Sequence, residues 1–176
     1  LNILSLRGPL TSKLFNNNLN IPLSDPAIII CDLIKKPIKK YTWGIVPHVS
    51  ERALPIIKEM QNNNKNSIII DPVNSNPLEI AEVIASCEFI ISSSLHGLIA
   101  ADSLNVPSVW MKLSNGIIGG NWKFNDYFQS IKCSRTEPLI INNLSAKYWE
   151  NHIQITDRKI LESKISELLS IDLSQI

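Results

Sequence analysis

The fold is decided by residues 89–104, which read FIISSSLHGLIAADSL. The apolar start predicts a short buried strand over Phe89–Ser92, and the segment Leu95–Leu104, rich in small residues, predicts a helix. Three serines, Ser92 to Ser94, join the two. A strand that passes directly into a helix through a polar turn is the repeating unit of an α/β fold.

The same alternation continues on both sides of this stretch. Strands are predicted at 41–46, 67–70, 108–112 and 139–141, and helices at 51–61 (with Ser50 as N-cap), 77–86, 122–131 and 157–169. The helix 77–86 is amphipathic, with Leu78, Ala81, Ile84 and Ala85 on its apolar face. Short Ile/Val-rich strands separated by helices require right-handed crossovers and a parallel sheet. Residues 41–176 are therefore predicted to form an α/β domain with a Rossmann-like, doubly wound parallel sheet.

The first forty residues follow a different pattern. A strand is predicted at 2–6, a helix beginning around 9–15 and ended by Asn16–Asn18, and a second strand at 27–31. We interpret residues 1–34 as the end of a preceding α/β domain whose body is absent, because the chain begins with Leu1. Residues 35–40, KKPIKK, are either a solvated linker or an anion-binding patch, and we place the domain boundary there.

Composition excludes several classes of protein. The chain has 176 residues, 44% of them hydrophobic, with 17 Lys and Arg against 16 Asp and Glu. This balance argues against a disordered chain and against nucleic-acid binding, and no apolar run reaches the ~18 residues of a membrane span. Cys31, Cys87 and Cys133 have no metal-ligand or redox spacing, so we expect structural thiols, no metal site and a cytoplasmic location.

Chemistry is expected at the carboxyl ends of the strands, where ligands bind in open α/β sheets. Ser92, Ser93 and Ser94 precede a helix whose free N–H groups favour anions, and Gly97 permits a ligand to approach the first turn. His96 in that turn is a candidate acid or base, and His48 follows the first sheet strand. The alternative is an ordinary N-cap with a histidine that only hydrogen-bonds across the sheet. No dinucleotide-binding or P-loop glycine motif is present.

The remaining histidine, an aspartate and several aromatic residues are expected to have structural roles. His152 is expected on the surface, and Asp71 is expected to close a turn. Trp110, Trp122 and Tyr127 are expected in the core or along a groove rather than on a base-stacking platform.

Five motifs in the same order resemble the polysaccharide pyruvyl transferase family. They are Leu6–Thr11 (LRGPLT), Ser24–Ala27 (SDPA), Gly44–His48 (GIVPH), Ile90–Trp110 around SSSLHG, and Gly119–Phe128 (GGNWKFNDYF). The match is specific because it rests on all five motifs together.

The resemblance implies the C-terminal half of a two-domain fold of the GT-B glycosyltransferase type, with its active site between the halves. It also implies transfer of the pyruvyl group of phosphoenolpyruvate to two hydroxyls of a sugar as a cyclic ketal, with release of phosphate. By position, the family's arginine, histidine and lysine fall on Arg7, His96 and Lys123, with Ser92–Ser94 holding the phosphate. No metal or cofactor is required, and the acceptor is a nucleotide- or lipid-linked sugar, with peripheral membrane association an open option.

Two departures from the family pattern and two rival functions remain. Ser94 stands where many members have arginine before the Leu-His pair, and Ser24 replaces a glycine. The rivals are a GT-B glycosyltransferase domain that binds a nucleotide-sugar and a non-catalytic module of the same fold. Against the glycosyltransferase domain, the sequence shows no acidic residue obviously placed to bind the ribose of a nucleotide-sugar. A non-catalytic module would be indicated by loss of Arg7, His96 or Lys123, and all three residues are present.

Overall fold

The central element is a five-stranded sheet in which every neighbouring pair of strands is parallel. The structure is a computed structural model that describes residues 3–15, 20–35, 37–73 and 76–172. The strands are β1 (Tyr41–Val46), β2 (Ser67–Ile69), β3 (Cys87–Ser92), β4 (Ser108–Lys112) and β5 (Leu139–Ile140), in the order β2-β1-β3-β4-β5. The predicted α/β class with a Rossmann-like parallel sheet is confirmed.

Helices connect these strands and cover both faces of the sheet. They are α1 (Pro9–Leu14), a 3₁₀-helix (Pro26–Asp32), α2 (Pro55–Asn63), α3 (Pro77–Ala85), α4 (Leu95–Ser103), α5 (Trp122–Ser130), α6 (Ala146–Glu150) and α7 (Arg158–Leu169). The short helix α6 was not predicted from the sequence. None of the helices in the described part of the chain is long and apolar enough to cross a membrane.

Alternation along the strands divides the core between the two faces. Trp43 and Ile45 of β1 pack on one face with Ile57 of α2 and Trp149 of α6. The opposite face holds Val46 and Ile90 against α3 and α4, and a third cluster joins α4, α5 and α7 around Phe128. Because successive strand side chains point to opposite faces, both faces of this sheet require helical cover.

The N-terminal segment differs from its predicted form. Of the strand predicted at 2–6, the structure describes residues 3–6, and within these only Leu6 pairs, in an isolated bridge with Leu23. The predicted strand at 27–31 is wrong, because Asp25 accepts a hydrogen bond from the Ala27 N–H and Pro26 begins a helical turn. The Asn16–Asn18 stop signal is outside the described residues. Ile28 is buried in the cluster of α4, α5 and α7, so this segment packs on the sheet domain; its origin in a preceding domain stays a prediction.

Two helices in the sheet domain, α2 and α3, differ from their predicted form. The helix predicted from Glu51 begins only at Pro55, with Leu54 as its cap, because a residue before proline is disfavoured in helical conformation. Ser50 therefore caps no helix. In α3, Ala81, Ile84 and Ala85 are buried as predicted, but Leu78 lies in the first turn and is 39% exposed.

The three cysteines are free thiols. Cys87 is fully buried as expected, and burial raises the pKa of its thiol to about 12. Cys31 and Cys133 are half-buried.

Candidate functional site: a cationic pocket at the sheet switch point

An open pocket lies where the strand order reverses, between the carboxyl ends of β1 and β3. In open α/β sheets this reversal is where ligands bind, because neighbouring connections leave the sheet toward opposite faces. The pocket has a volume of about 530 Å³, and Arg7, His48, His96 and Lys123 line it together with apolar residues that come mainly from α3 and α4. We call it the switch-point pocket. None of its described lining residues is acidic.

The start of α4 forms one wall of this pocket. The first N–H groups of a helix have no partner within it, so they point outward with a partial positive charge. Ser94 is the N-cap residue and lines the pocket, and its hydroxyl makes no capping hydrogen bond. This arrangement leaves the helix start able to donate to an anion.

Ser92 and Ser93 lie behind this wall. Ser92 Oγ donates toward the carbonyls of Val46 and Ser94, at 3.0 and 2.9 Å, and accepts from the Ser94 N–H at 3.0 Å. Ser93 Oγ accepts from the His48 N–H at 2.9 Å. Both side chains are fully buried. Their hydroxyls therefore hold β1, β3 and the start of α4 together, while Ser94 is the serine that faces the pocket.

Gly97 allows α4 to lie close to the sheet. A Cβ at this position would stand 2.5 Å from Ser92 Oγ and 2.8 Å from Val46 Cγ1. The missing side chain thus admits strand atoms, in addition to any ligand that reaches the pocket side of the turn. The sequence suggested only the ligand.

His96 faces the N-terminal segment. Its Nε2 lies 3.9 Å from Asp25 Oδ2, and its side chain is 74% exposed. The other carboxylate oxygen of Asp25 accepts from the Ala27 N–H at 3.0 Å, which fixes the carboxylate. Asp25 was not singled out from the sequence, although it belongs to the SDPA motif.

Arg7 and Lys123 supply the permanent positive charge of the pocket. The Arg7 guanidinium lies over the Trp122 ring within cation–π range, with its central carbon 5.7 Å from the ring centroid. Burial, and then repulsion from Arg7, lower the pKa of the Lys123 ammonium. The two cations are therefore close enough to repel each other, and an anion between them would relieve that repulsion.

His48 also lines the switch-point pocket. Its Nδ1 accepts from the Ser50 N–H at 3.2 Å and lies 2.8 Å from Ser50 Oγ, which favours the tautomer with the proton on Nε2. Burial, and then the Lys123 charge, lower the pKa of His48, against a smaller opposing effect of Glu51. His48 is therefore a neutral hydrogen-bond donor at physiological pH.

We expect His48 to titrate below its ordinary value of 6.5. Because the folded chain then binds fewer protons than the unfolded one, neutral His48 supports folding above pH 6.5, and this support is lost as the pH falls through the lowered pKa. An NMR titration of the His48 ring measures the midpoint. Lys123→Met should raise it, whereas Lys147→Met, on the exposed side of α6, should not; a wild-type midpoint at or above 6.5 would contradict this account.

The structure thus brings together residues from distant motifs. Arg7, His48, Ser94, His96, Gly97 and Lys123 all line the switch-point pocket. His152 is exposed, Trp110 and Tyr127 are buried, and Asp71 accepts from the Val73 N–H in a turn, as expected. Trp122 is partly exposed beneath Arg7.

The fold and pocket define an α/β protein with a parallel sheet and, at its switch point, a pocket that Arg7 and Lys123 help to line. A sequence model of the polysaccharide pyruvyl transferase family matches residues 1–115. The chain belongs to this family.

Two relatives extend the comparison. An uncharacterized protein of Acanthamoeba polyphaga mimivirus is 31% identical over 167 residues, covering 88% of this chain and 58% of that protein. The succinoglycan biosynthesis protein ExoV of Rhizobium meliloti is 30% identical over 134 residues, covering 73% of this chain and 40% of ExoV. The chain therefore matches about half the length of these relatives. No solved structure matches significantly.

Proposed function

We propose that the chain carries the donor site of an enzyme that transfers the pyruvyl group of phosphoenolpyruvate to a saccharide. The observation that carries the proposal is the convergence of Arg7, Lys123, His48 and the start of α4 on one pocket, with His96 at its rim. Membership of the family and the likeness to a succinoglycan biosynthesis protein support it.

The donor has two anionic groups, and the pocket offers distinct ways to bind them. Arg7 presents a planar fork that suits a carboxylate or phosphate oxygen pair. Lys123 contributes a mobile point charge, and the free N–H groups of α4 favour a phosphate. His48 adds a donor, its Nε2–H, which the ring carries in both its neutral and its protonated form.

The transfer also requires proton movement. Two sugar hydroxyls add to C2 of phosphoenolpyruvate, the bond from C2 to the phosphate oxygen breaks, and the methylene carbon C3 becomes a methyl group. One hydroxyl proton goes to C3 and the other leaves with the phosphate. We assign the transfer of a hydroxyl proton to His96, because its imidazole lines the pocket and an imidazole can act as a positioned acid or base.

Further parts of the proposal concern the complete enzyme. We propose that the complete enzyme has a GT-B arrangement, with this chain as its C-terminal half. The acceptor is a nucleotide- or lipid-linked sugar that is modified in the cytoplasm. Where the acceptor is lipid-linked, the enzyme associates with the membrane surface. Support comes from the parallel sheet and from a pocket that is open to solvent at the carboxyl edge. No metal or cofactor enters the proposed reaction.

The donor site is tested by thermal unfolding with phosphoenolpyruvate, phosphate, UDP and UDP-sugars. A ligand at 100 times its dissociation constant stabilises the folded state by about 2.7 kcal/mol. We expect phosphoenolpyruvate to stabilise the chain more than phosphate does. Lys123→Ala should remove most of this gain with little change in the melting temperature of the free protein, because loss of the ammonium also relieves its repulsion from Arg7.

Lys147→Ala is the matched control and should keep the full response. Stabilisation by UDP compounds alone would favour glycosyl transfer instead. No response to any ligand would contradict a donor site within this chain.

A further inference from the structure

Asp126 is a buried carboxylate on the helix that also carries Lys123 and Trp122. Its side chain is fully buried and lies one helical turn after Lys123. Four donors converge on it: the Arg7 Nε–H at 3.3 Å, the Leu10 N–H at 2.8 Å, and the Thr11 N–H and hydroxyl at 3.1 and 2.5 Å. A buried carboxylate requires hydrogen-bond partners of this kind to offset the loss of its contacts with water.

The two oxygens of Asp126 have separate partners. Oδ1 accepts from the backbone N–H groups of Leu10 and Thr11, which caps the start of α1 from a distant helix. Oδ2 accepts from Arg7 and from the Thr11 hydroxyl. One oxygen therefore holds the backbone, and the other holds the arginine side chain.

We propose that Asp126 is a positioning residue for Arg7, which it holds by Nε so that the terminal nitrogens of the guanidinium face the switch-point pocket. The hydrogen bond from Nε to Asp126 at 3.3 Å restricts the orientation of the guanidinium, whose central carbon lies over the Trp122 ring at 5.7 Å from its centroid. The backbone of Gly8 lies against the Asp126 carbonyl, which sets the distance between the two segments. The role of Asp126 in donor binding rests on the proposed function, in which Arg7 binds the donor.

Asp126→Asn separates the two roles of this carboxylate. An asparagine can keep its oxygen toward Leu10 and Thr11, and the Thr11 hydroxyl can rotate to accept from the new amide N–H. Arg7 Nε–H is a donor in every state, so it alone loses its acceptor. Thr11→Val is the matched control, because it removes a hydrogen bond to the same oxygen and leaves the Arg7 contact in place.

The first measurement requires no ligand. Phenylglyoxal labelling followed by mass spectrometry gives the modification rate of Arg7 relative to the partly exposed Arg52. We expect Asp126→Asn to raise this ratio by about threefold or more, as for loss of a hydrogen bond between charged groups, and Thr11→Val to leave it unchanged. Amide hydrogen exchange over residues 10–14 reports whether α1 remains docked. An unchanged ratio in Asp126→Asn, or an equal rise in Thr11→Val, would overturn the proposal.

The second measurement uses the wild-type fold alone and therefore remains decisive if Asp126→Asn unfolds. The Arg7 Nε–H resonance, assigned by its loss in Arg7→Lys, should exchange slowly with solvent. Fast exchange at the rate of an unrestrained arginine would overturn the assignment.

The third measurement connects positioning to the donor. Asp126→Asn should weaken phosphoenolpyruvate binding about tenfold, and should have no further effect in an Arg7→Ala background. An equal loss in both backgrounds would show that Asp126 does not act through Arg7. If the wild type binds no phosphoenolpyruvate, the proposed function fails, while the labelling and exchange results still decide the role of Asp126.

Discussion

Replacement of His96 by alanine is expected to lower the rate of pyruvyl transfer by about 10²- to 10⁴-fold, the usual contribution of a positioned acid or base. The side chain is 74% exposed, so its loss removes little packing. Its nearest charged neighbour is the Asp25 carboxylate, which keeps its hydrogen bond to the Ala27 N–H in the variant. We therefore expect a large fall in kcat with an almost unchanged melting temperature.

The measurement is phosphate release from phosphoenolpyruvate in the presence of UDP-sugar acceptors, beside a melting curve of each variant. His152→Ala is the matched control, because this histidine is also exposed and its ring lies beside the Tyr148 ring, at a centroid distance of 5.2 Å, away from the switch-point pocket. It should retain full activity. Wild-type turnover by His96→Ala would remove His96 from the reaction.

Gly8→Ala is expected to cause the largest loss of stability among single substitutions considered for this chain. The backbone at Gly8 is extended, so alanine can adopt its dihedral angles, and space alone decides the outcome. A Cβ there would overlap the carbonyl group of Asp126, and a backbone carbonyl cannot rotate away as a side chain would. Helix α5 cannot shift away from Gly8 either, because its side chains Phe124, Tyr127 and Phe128 are packed in the core.

The segment that contains Arg7 and α1 must therefore separate from α5. Its departure leaves the Asp126 carboxylate without its four donors, and breaking a buried charged pair typically costs about 3–5 kcal/mol. We expect a loss of this size in the free energy of unfolding, and loss of phosphoenolpyruvate binding because Arg7 moves with the segment.

Urea denaturation of Gly8→Ala and of Gly116→Ala measures this difference. A Cβ at Gly116 would meet only Ser114 Oγ, at an ordinary contact distance of 3.5 Å, so the control should change stability by no more than about 0.5 kcal/mol. Equal stabilities for the two variants would show that the segment accommodates a Cβ at position 8.

Sheet strands were predictable because each is a short apolar run between polar turns. The strand predicted at Ser108–Lys112 has the same bounds as β4. The strand predicted at Phe89–Ser92 starts two residues later than β3 does and ends at the same residue. The apolar run 27–31 looks the same in sequence and is a 3₁₀-helix. Its identity depends on the Asp25 cap and on Ser103, whose hydroxyl accepts from the Cys31 N–H at 3.1 Å. Periodicity alone does not separate short apolar runs of these two kinds.

Part of the candidate site could be predicted in the same way. Ser94, His96 and Gly97 lie within one strand-to-helix turn, so their proximity follows from local sequence. Ser92 and Ser93 belong to the same turn but point into the protein, a distinction that depends on the position of β1. Asp25 and Asp126 were visible within motifs, yet no local signal paired Asp25 with His96 or Asp126 with Arg7.

The sequence by itself determined the α/β class, the parallel sheet and the polar turn before α4, because these depend on hydrophobic periodicity and on residues adjacent in the chain. Only the tertiary structure decided that Arg7, from near the start of the chain, shares a pocket with Lys123. That meeting depends on the reversal of strand order at β1 and β3 and on the contact of Gly8 with Asp126. Both are consequences of packing between segments far apart in sequence, for which one sequence carries no local pattern.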